Sequence, residues 1–468
     1  LCILHSALKS RGPVVLGLAV LAIGAGGDRP SLIDAAKNSD RSTVRLLVQQ
    51  GTNVNQTEAD GTTALHWASY RDDLESAEVL IRAGAKVNAA NDLGATPLWT
   101  ASLNGSPAMV RRLLQAGANP NIPLLLGETP VMVASRSGNS DIVEQLLAKG
   151  AEVNARAARG QTALMWAVAQ KHPDVVGVLL AHGAHVHARS QVWSEMVAVP
   201  PHGLPEYNSV IPQGGDTALM FAARVGDLAS AKLLVAAGAN VNDADAWGVS
   251  ATVLAAHAGH TPVVEYLLDR GADGNAAAAG FSALQAAVMR RDEKMVAVML
   301  DHRANPNLPV RTWTPTRRDS KDYNFNPALV GATPYWLAAR FNEPGVMRLL
   351  AKHGADVRFV HHSYYAVDGR GEAFEHRTDV LTPLMAAVGM GRGTAWVQPD
   401  RDSREALMLE TVKLVVESGV DLNAANTDGR TALDAAQALK YETVVKFLVD
   451  NGAKPGVKKE QASPAPVR

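Results

Sequence analysis

The sequence predicts an all-α solenoid of about eleven stacked helix-turn-helix repeats, with long insertions between some of them. Three observations predict it. A 33-residue frame, Gly61–Leu93, recurs at once as Gly94–Leu126, Gly127–Arg159 and from Gly160 onward. Self-similarity at that period marks a repeat architecture before any local motif is weighed. Each frame opens on Gly with Thr two residues later (Thr63, Thr96, Thr129, Thr162), then an apolar run ending in Ala or Ser. A second run carries aliphatics at i, i+1, i+4 and i+5, as Ile142, Val143, Leu146 and Leu147 do, which is one stripe of a helix.

Taken in order, Ser31–Asp60 reads as a degenerate first repeat whose Lys37, Asn38, Asp40 and Arg41 suit an end cap with one wet face. Four regular frames follow. Pro97 and Pro130 fall on a first helical turn, where a missing N–H costs nothing. Gly84, Gly117, Gly150 and Gly183 stop each second helix as left-handed residues would. The period then breaks at Ser190–Gly214, a proline-rich insertion without helical period, and resumes at Gly215, Gly248 and Gly280. Leu308–Val330 and Arg358–Val380 are two further insertions on either side of the frame at Gly331. Gly389–Arg404 lengthens the turn between the two helices of the next repeat. Gly429 opens the last repeat, and Lys454–Arg468 reads as a disordered tail by composition.

These residues resemble the ankyrin repeat family, in the form of exported bacterial chains with loop insertions. Its T-P-L-H-x-A signature is matched by TALHWA at Thr63, TPLWTA at Thr96, TALMWA at Thr162, TALMFA at Thr217, TPYWLA at Thr333 and TPLMAA at Thr382. Its G-A-x-V-N signature is matched at Gly84, Gly150 and Gly238. The resemblance covers nearly the whole chain from Asp28 to Gly456. It implies a curved stack with a concave row of first helices and loops projecting as fingers along one rim.

The 45 basic residues nearly cancel the 46 acidic ones, so no global field favours nucleic acid or an anionic membrane. The single cysteine, Cys2, excludes a disulfide framework within the chain. Lys9 and Arg11 precede an apolar run, Pro13–Ile23, that ends in small residues. That layout reads as a secretory signal peptide over residues 1–27, with export to the periplasm or beyond. The apolar run is too short to span a bilayer, which takes about 20 residues, and no membrane contact is expected of the mature chain.

Function is expected at the departures from the period. The four insertions hold 10 of the 23 aromatic residues, among them Trp193, Tyr207, Tyr323, Phe325, Tyr364, Tyr365 and Trp396. Two readings stand: the aromatics fold over the groove and line a pocket, or they pin the loops to the solenoid. The resemblance also implies a concave row containing Tyr70, Arg71, Arg136, Gln170, Arg224, His257, Arg290, Arg340 and Phe341. With Arg317 and Arg318 of the second insertion, that row suits an acidic partner, because Arg forks onto carboxylates. Alternatively the arginines are solvated or paired locally, Arg224 with Asp227.

The other motifs have structural readings. His66 braces its turn through the Thr63 hydroxyl, and the Asn pairs (Asn53/Asn55, Asn119/Asn121, Asn240/Asn242, Asn305/Asn307) are turn chemistry. Trp67, Trp166 and Phe221 share one register position and are expected to pack against the next repeat. His182, His185, His187, His361 and His362 lack zinc-site spacing, so no metal is expected. No nucleophile elbow, phosphate loop or dinucleotide fingerprint is present, and no cofactor is expected. The reading is a monomeric, non-catalytic protein-interaction scaffold that binds through its groove and insertion loops. The expected contacts are Trp193, Tyr207, Arg224, His257, Arg317, Arg318, Tyr323, Arg340, Tyr364, Tyr365 and Trp396. The alternatives are a small-molecule, glycan or peptide receptor with a pocket among the insertions, and an enzyme using their carboxylates and histidines.

Overall fold

The computed structural model describes residues 30–198, 208–313, 325–368 and 374–457. Among them, 22 α-helices form eleven consecutive pairs. The array begins with α1 (Leu32–Lys37) and α2 (Arg41–Gln49), α3 (Ala64–Tyr70) and α4 (Leu74–Arg82), and α5 (Pro97–Asn104) and α6 (Pro107–Gln115). Next come α7 (Pro130–Ser137) and α8 (Ser140–Ala148), then α9 (Ala163–Ala169) and α10 (Pro173–Ala181). Pairs six to eight are α11 (Ala218–Val225) and α12 (Leu228–Ala236), α13 (Ala251–Ala258) and α14 (Thr261–Asp269), and α15 (Ala283–Met289) and α16 (Glu293–Asp301). The last three are α17 (Pro334–Arg340) and α18 (Pro344–Lys352), α19 (Pro383–Ala387) and α20 (Arg404–Glu417), and α21 (Ala432–Leu439) and α22 (Glu442–Asp450).

Local chemistry sets these boundaries. Thr63, Thr96, Thr162, Thr333 and Thr382 cap first helices by accepting from the third helical N–H. Pro97 and Pro130 are the first residues of α5 and α7. Gly84, Gly117, Gly150 and Gly183 all hold φ between 82° and 88°, so the left-handed stops are real. First helices bury small residues against each other (Ala68, Ala101, Ala134, Ala167, Ala222). They therefore pack on one another more extensively than the second helices do. A stack tighter along one row curves toward it, which makes the first-helix row the concave face.

Two hydrogen-bond ladders stitch the pairs together. Along the fingers, backbone N–H groups of Asp92, Leu125, Ala158, Gln191, Ala246 and Arg311 donate to Asp60, Leu93, Leu126, Arg159, Gly214 and Gly280. The second ladder is made of asparagine side chains. Asn55 donates to Gly84 O (3.1 Å) while its Oδ1 accepts from Lys86 N (2.8 Å). Asn88, Asn121, Asn154, Asn242, Asn307 and Asn423 repeat both bonds to the following pair. The first Asn of each pair does the turn chemistry: Asn53 Oδ1 accepts from Asn55 N at 3.0 Å. Turn chemistry alone is thus too small a role for the second Asn, which joins neighbours. His187, 33 residues after Asn154, occupies a rung position, and His185 meets the ladder through its backbone N.

The insertions depart from expectation. Two of them are not irregular loops. β1 (Trp193–Ala198) pairs antiparallel with β2 (Asn208–Gln213), and β3 (His361–Asp368) pairs with β4 (Phe374–Leu381). Each is a finger drawn out into a hairpin. At the root of the second, His361 Nε2 donates to Ala328 O (2.8 Å) and its ring lies 4.5 Å from Trp336, whose Nε1 donates to Leu381 O (3.1 Å). Burial there alternates along β3: His361 and Ser363 are buried, His362 and Tyr364 exposed. The alternation is a strand signal that the flanking turn residues obscure. The expected leader (residues 1–27), the tail beyond residue 457 and the positions Tyr207, Arg317, Arg318 and Tyr323 lie outside the described residues.

Candidate functional site

Much of the concave cation row is occupied with its own backbone. Arg71 Nε donates to Lys37 O (2.9 Å) and Arg290 Nη1 to His257 O (2.9 Å). His172 Nε2 donates to Arg136 O at 3.1 Å. Each side chain closes carbonyls at the end of the preceding first helix, which have no partner inside that helix. Arg224 pairs with Asp216 at 3.0 Å, not with Asp227 as the sequence suggested. Asp227 instead caps α12, accepting from Ser230 N at 3.0 Å.

Residues 389–403 run back across the concave face as a strap. Arg340, at the end of α17, donates from Nη2 to Gly391 O (3.1 Å) and Gly393 O (3.2 Å). Burial pushes its pKa down, though a guanidinium stays charged in this setting. Gly391 and Gly393 hold φ of 92° and 90°, and a Cβ on them would press within 2.9 Å of Leu381 and 2.8 Å of Leu329. Trp396 N donates to Met289 O of α15 (2.9 Å). Its ring meets His257 of α13 at 4.9 Å and Phe325 at 5.5 Å. The contacts continue from Phe325 to Phe281 (5.0 Å) and on to Trp247 (6.0 Å). The chain itself therefore covers the concave face of pairs seven to nine.

The strap encloses little space. A cavity of about 150 Å³ lies beside it, with Arg340, Phe341, Gln398 and Tyr441 in its wall. Small-molecule sites commonly run from about 300 to 1,000 Å³, so this one is undersized. The larger cleft, about 640 Å³, opens on the outer face between α2, α4 and α6. Most of its charges satisfy one another: Arg41 pairs with Asp73 and Glu75, and Glu78 pairs with Arg82 and Arg112.

Of the candidates chosen from sequence, His257, Arg340, Trp396 and Tyr365 gather around the strap. Tyr365 joins through Arg392, whose guanidinium lies 5.2 Å from its ring. Tyr364 points away, 62% exposed and stacked on His376 at 5.1 Å. Trp193 lies under Arg159 (4.8 Å), and Arg224 stays with Asp216. Sequence reasoning missed Trp247, Phe281 and Arg159. Trp247 and Phe281 flank the glycine of a regular frame and carried no off-period signal.

Pairs one to six keep an uncovered concave face among the described residues. It presents half-buried Trp67, Trp99, Trp166 and Phe221 and exposed Tyr70. The indoles of Trp67 and Trp166 reach the preceding pair as cation–π partners of Lys37 (4.6 Å) and Arg136 (4.7 Å). Trp67 Nε1 also donates to Glu58 Oε2 at 2.8 Å.

A family model described as Ankyrin repeats (3 copies) matches residues 32–124, 119–190 and 219–310. With more than half of the chain matched, the protein belongs to the ankyrin-repeat family. Ankyrin repeats are generally protein–protein interaction modules and are typically not enzymes. Among solved structures, the chain is similar to the human ASB11 ankyrin repeat domain: 30% identical, covering 52% of this chain and 99% of that one, with a TM-score of 0.43. No curated protein matches.

Proposed function

We propose that the chain is a non-catalytic scaffold that docks a protein partner on the concave face of pairs one to six. The observation that carries this reading is the division of the groove. Pairs seven to nine have their inner face covered by the strap, while the first six expose aromatic side chains there. Aromatic anchors on a rigid, preformed wall bind with little ordering cost. Trp193 and Arg224 flank this open half, and Arg317, Arg318, Tyr207 and Tyr323 belong to the same proposal as contacts from the insertions. Among the described residues, the cavity beside the strap is small for the receptor alternative, and its wall holds no carboxylate or histidine for an enzyme. The basic, apolar and small-residue order of residues 1–27 supports export, which fractionation of the producing cells tests.

Site-specific photo-crosslinking tests the docking reading. A cross-linker at exposed Gln170 on the concave side is expected to trap a defined adduct, and one at Leu233 on the outer helix α12 to trap none. Equal capture at both positions would refute concave docking.

A further inference from the structure

We propose that the open face at pairs four and five binds a carboxylate-bearing segment of the partner, with Arg136 and the Trp166 indole N–H taking an Asp or Glu side chain. The inference rests on the docking reading above and names the chemistry of what docks. Its template lies inside the chain. Lys37, Glu58 and Trp67 form a closed set across pairs one and two: Lys37 Nζ is 3.6 Å from Glu58 Oε1, Trp67 Nε1 donates to Glu58 Oε2 (2.8 Å), and Lys37 sits over the indole (4.6 Å). A cation, an indole N–H and one carboxylate satisfy each other.

Three frames further on, 99 residues in every case, the same positions hold Arg136, Ala157 and Trp166. The cation and indole keep their relation, with Arg136 4.7 Å from the Trp166 ring. Alanine replaces the carboxylate, and Trp166 Nε1 has no hydrogen-bond acceptor. A shielded N–H without an acceptor is destabilising, and an incoming carboxylate relieves it. The neighbouring finger changes sign as well: Arg159 stands where Asp60 stands in the template, exposed and 4.8 Å from the Trp193 ring. Among the described residues no carboxylate pairs with Arg136 or Arg159. Exposed Arg156 adds a third cation and donates to Arg189 O.

Charge and geometry together select an acidic side chain. Two donors and added positive charge suit a carboxylate better than an amide, since charge-assisted bonds are about twice as strong as neutral ones. The position on the groove floor, beside the hairpin that carries Trp193, suits an extended protein segment rather than a free ion. Because Trp166 Nε1 is shielded, entry requires a side-chain rotation, and Arg136 on its flexible stem is the group that turns.

The test uses the full chain with 15N-labelled tryptophan and two short peptides, one alternating Glu with Gly and one alternating Gln with Gly. Trp166→Phe assigns the Trp166 indole resonance. The Glu peptide is expected to shift that resonance and the Gln peptide to leave it in place. Ala157→Glu rebuilds the template and is expected to shift the same resonance without peptide. It should also weaken the Glu peptide about tenfold, the worth of one charge-assisted bond. Arg136→Gln should weaken it similarly, and carries the test if Ala157→Glu does not fold. Equal response to the two peptides, or unchanged Glu-peptide affinity in a folded variant, would overturn the proposal. The partner trapped through Gln170 separates the two ideas. An adduct that survives both variants overturns the carboxylate site while docking stands, and absence of any concave adduct in the unaltered chain removes docking itself.

Discussion

At the residue scale, His66 shows how one side chain joins neighbours. Its Nδ1 accepts from Thr63 N (3.1 Å) and lies 2.8 Å from the Thr63 hydroxyl, while Nε2 donates to Ala95 O of the next finger (2.9 Å). That pattern requires the neutral ring, and burial holds its pKa below the ordinary 6.5. An unfolded chain therefore binds a proton here that the folded chain does not. The stability His66 contributes is fully present above about pH 6.5 and is lost as pH falls below it. Gln285 performs the same task in pair eight, accepting from Ser282 N (2.7 Å) and donating to Leu308 O (2.7 Å) without titrating. His66→Gln is thus expected to keep stability within about 1 kcal/mol near neutrality and to flatten the decline between neutrality and mild acid. Urea titrations across that range check it, and an unchanged slope would contradict the assignment. The Thr63–His66 bond was readable from the motif, because both partners lie within one turn. The acceptor at Ala95 was not, because it depends on how one repeat sits on the next.

At the element scale, the strap is the feature with the largest consequence for function. Arg340 holds it by two donated bonds, and Trp396 seats it against α13 and α15. Arg340→Ala is expected to cost about 1–3 kcal/mol, leaving two carbonyls without their donor. Trypsin should then cut faster at exposed Arg392 while the helical circular-dichroism signal is retained. Unchanged cleavage would mean that the strap is held from elsewhere. The helices around it were legible because their period repeats and each ends on its own cap or glycine. The strap was not legible. Met289, Phe325 and Arg340 are distant in sequence from Trp396, and no local pattern links them. The aromatic excess singled out the insertions as the informative departures from the period. It left the choice between pocket and packing open; of the insertion aromatics, Trp396 and Phe325 pack in the groove with Phe281 and Trp247, while Trp193 lies under Arg159 and Tyr364 stays exposed. The hairpins were missed for a simpler reason: their period-two alternation is short and is bounded by prolines and glycines that read as loop.

At the scale of the whole molecule, stability runs along the array from neighbour to neighbour. The asparagine ladder is the clearest device for this, and it changes at the junction of pairs five and six. There the rung position holds His187, and Asn240 N and Gly238 O stand where an asparagine would bond. His187→Asn is expected to add the rung and raise stability by about 0.5–1.5 kcal/mol, the net worth of a hydrogen bond. Thermal unfolding reads the shift, and no gain would show that the first hairpin alters the spacing of the loops there. The division of the groove belongs to this scale too, since it is a property of pairs seven to nine taken together and of no single motif.

The most direct test of that division is oxidative footprinting of tryptophan in the full chain, alone and with the partner trapped through Gln170. Alone, Trp166 and Trp67 are expected to label faster than buried Trp336, which is 0% exposed. With partner, labelling of Trp166 should fall sharply while Trp396, seated on α13 and α15, stays as it was. Partner-dependent protection of Trp396, with Trp166 unchanged, would place docking on the strap and contradict the account.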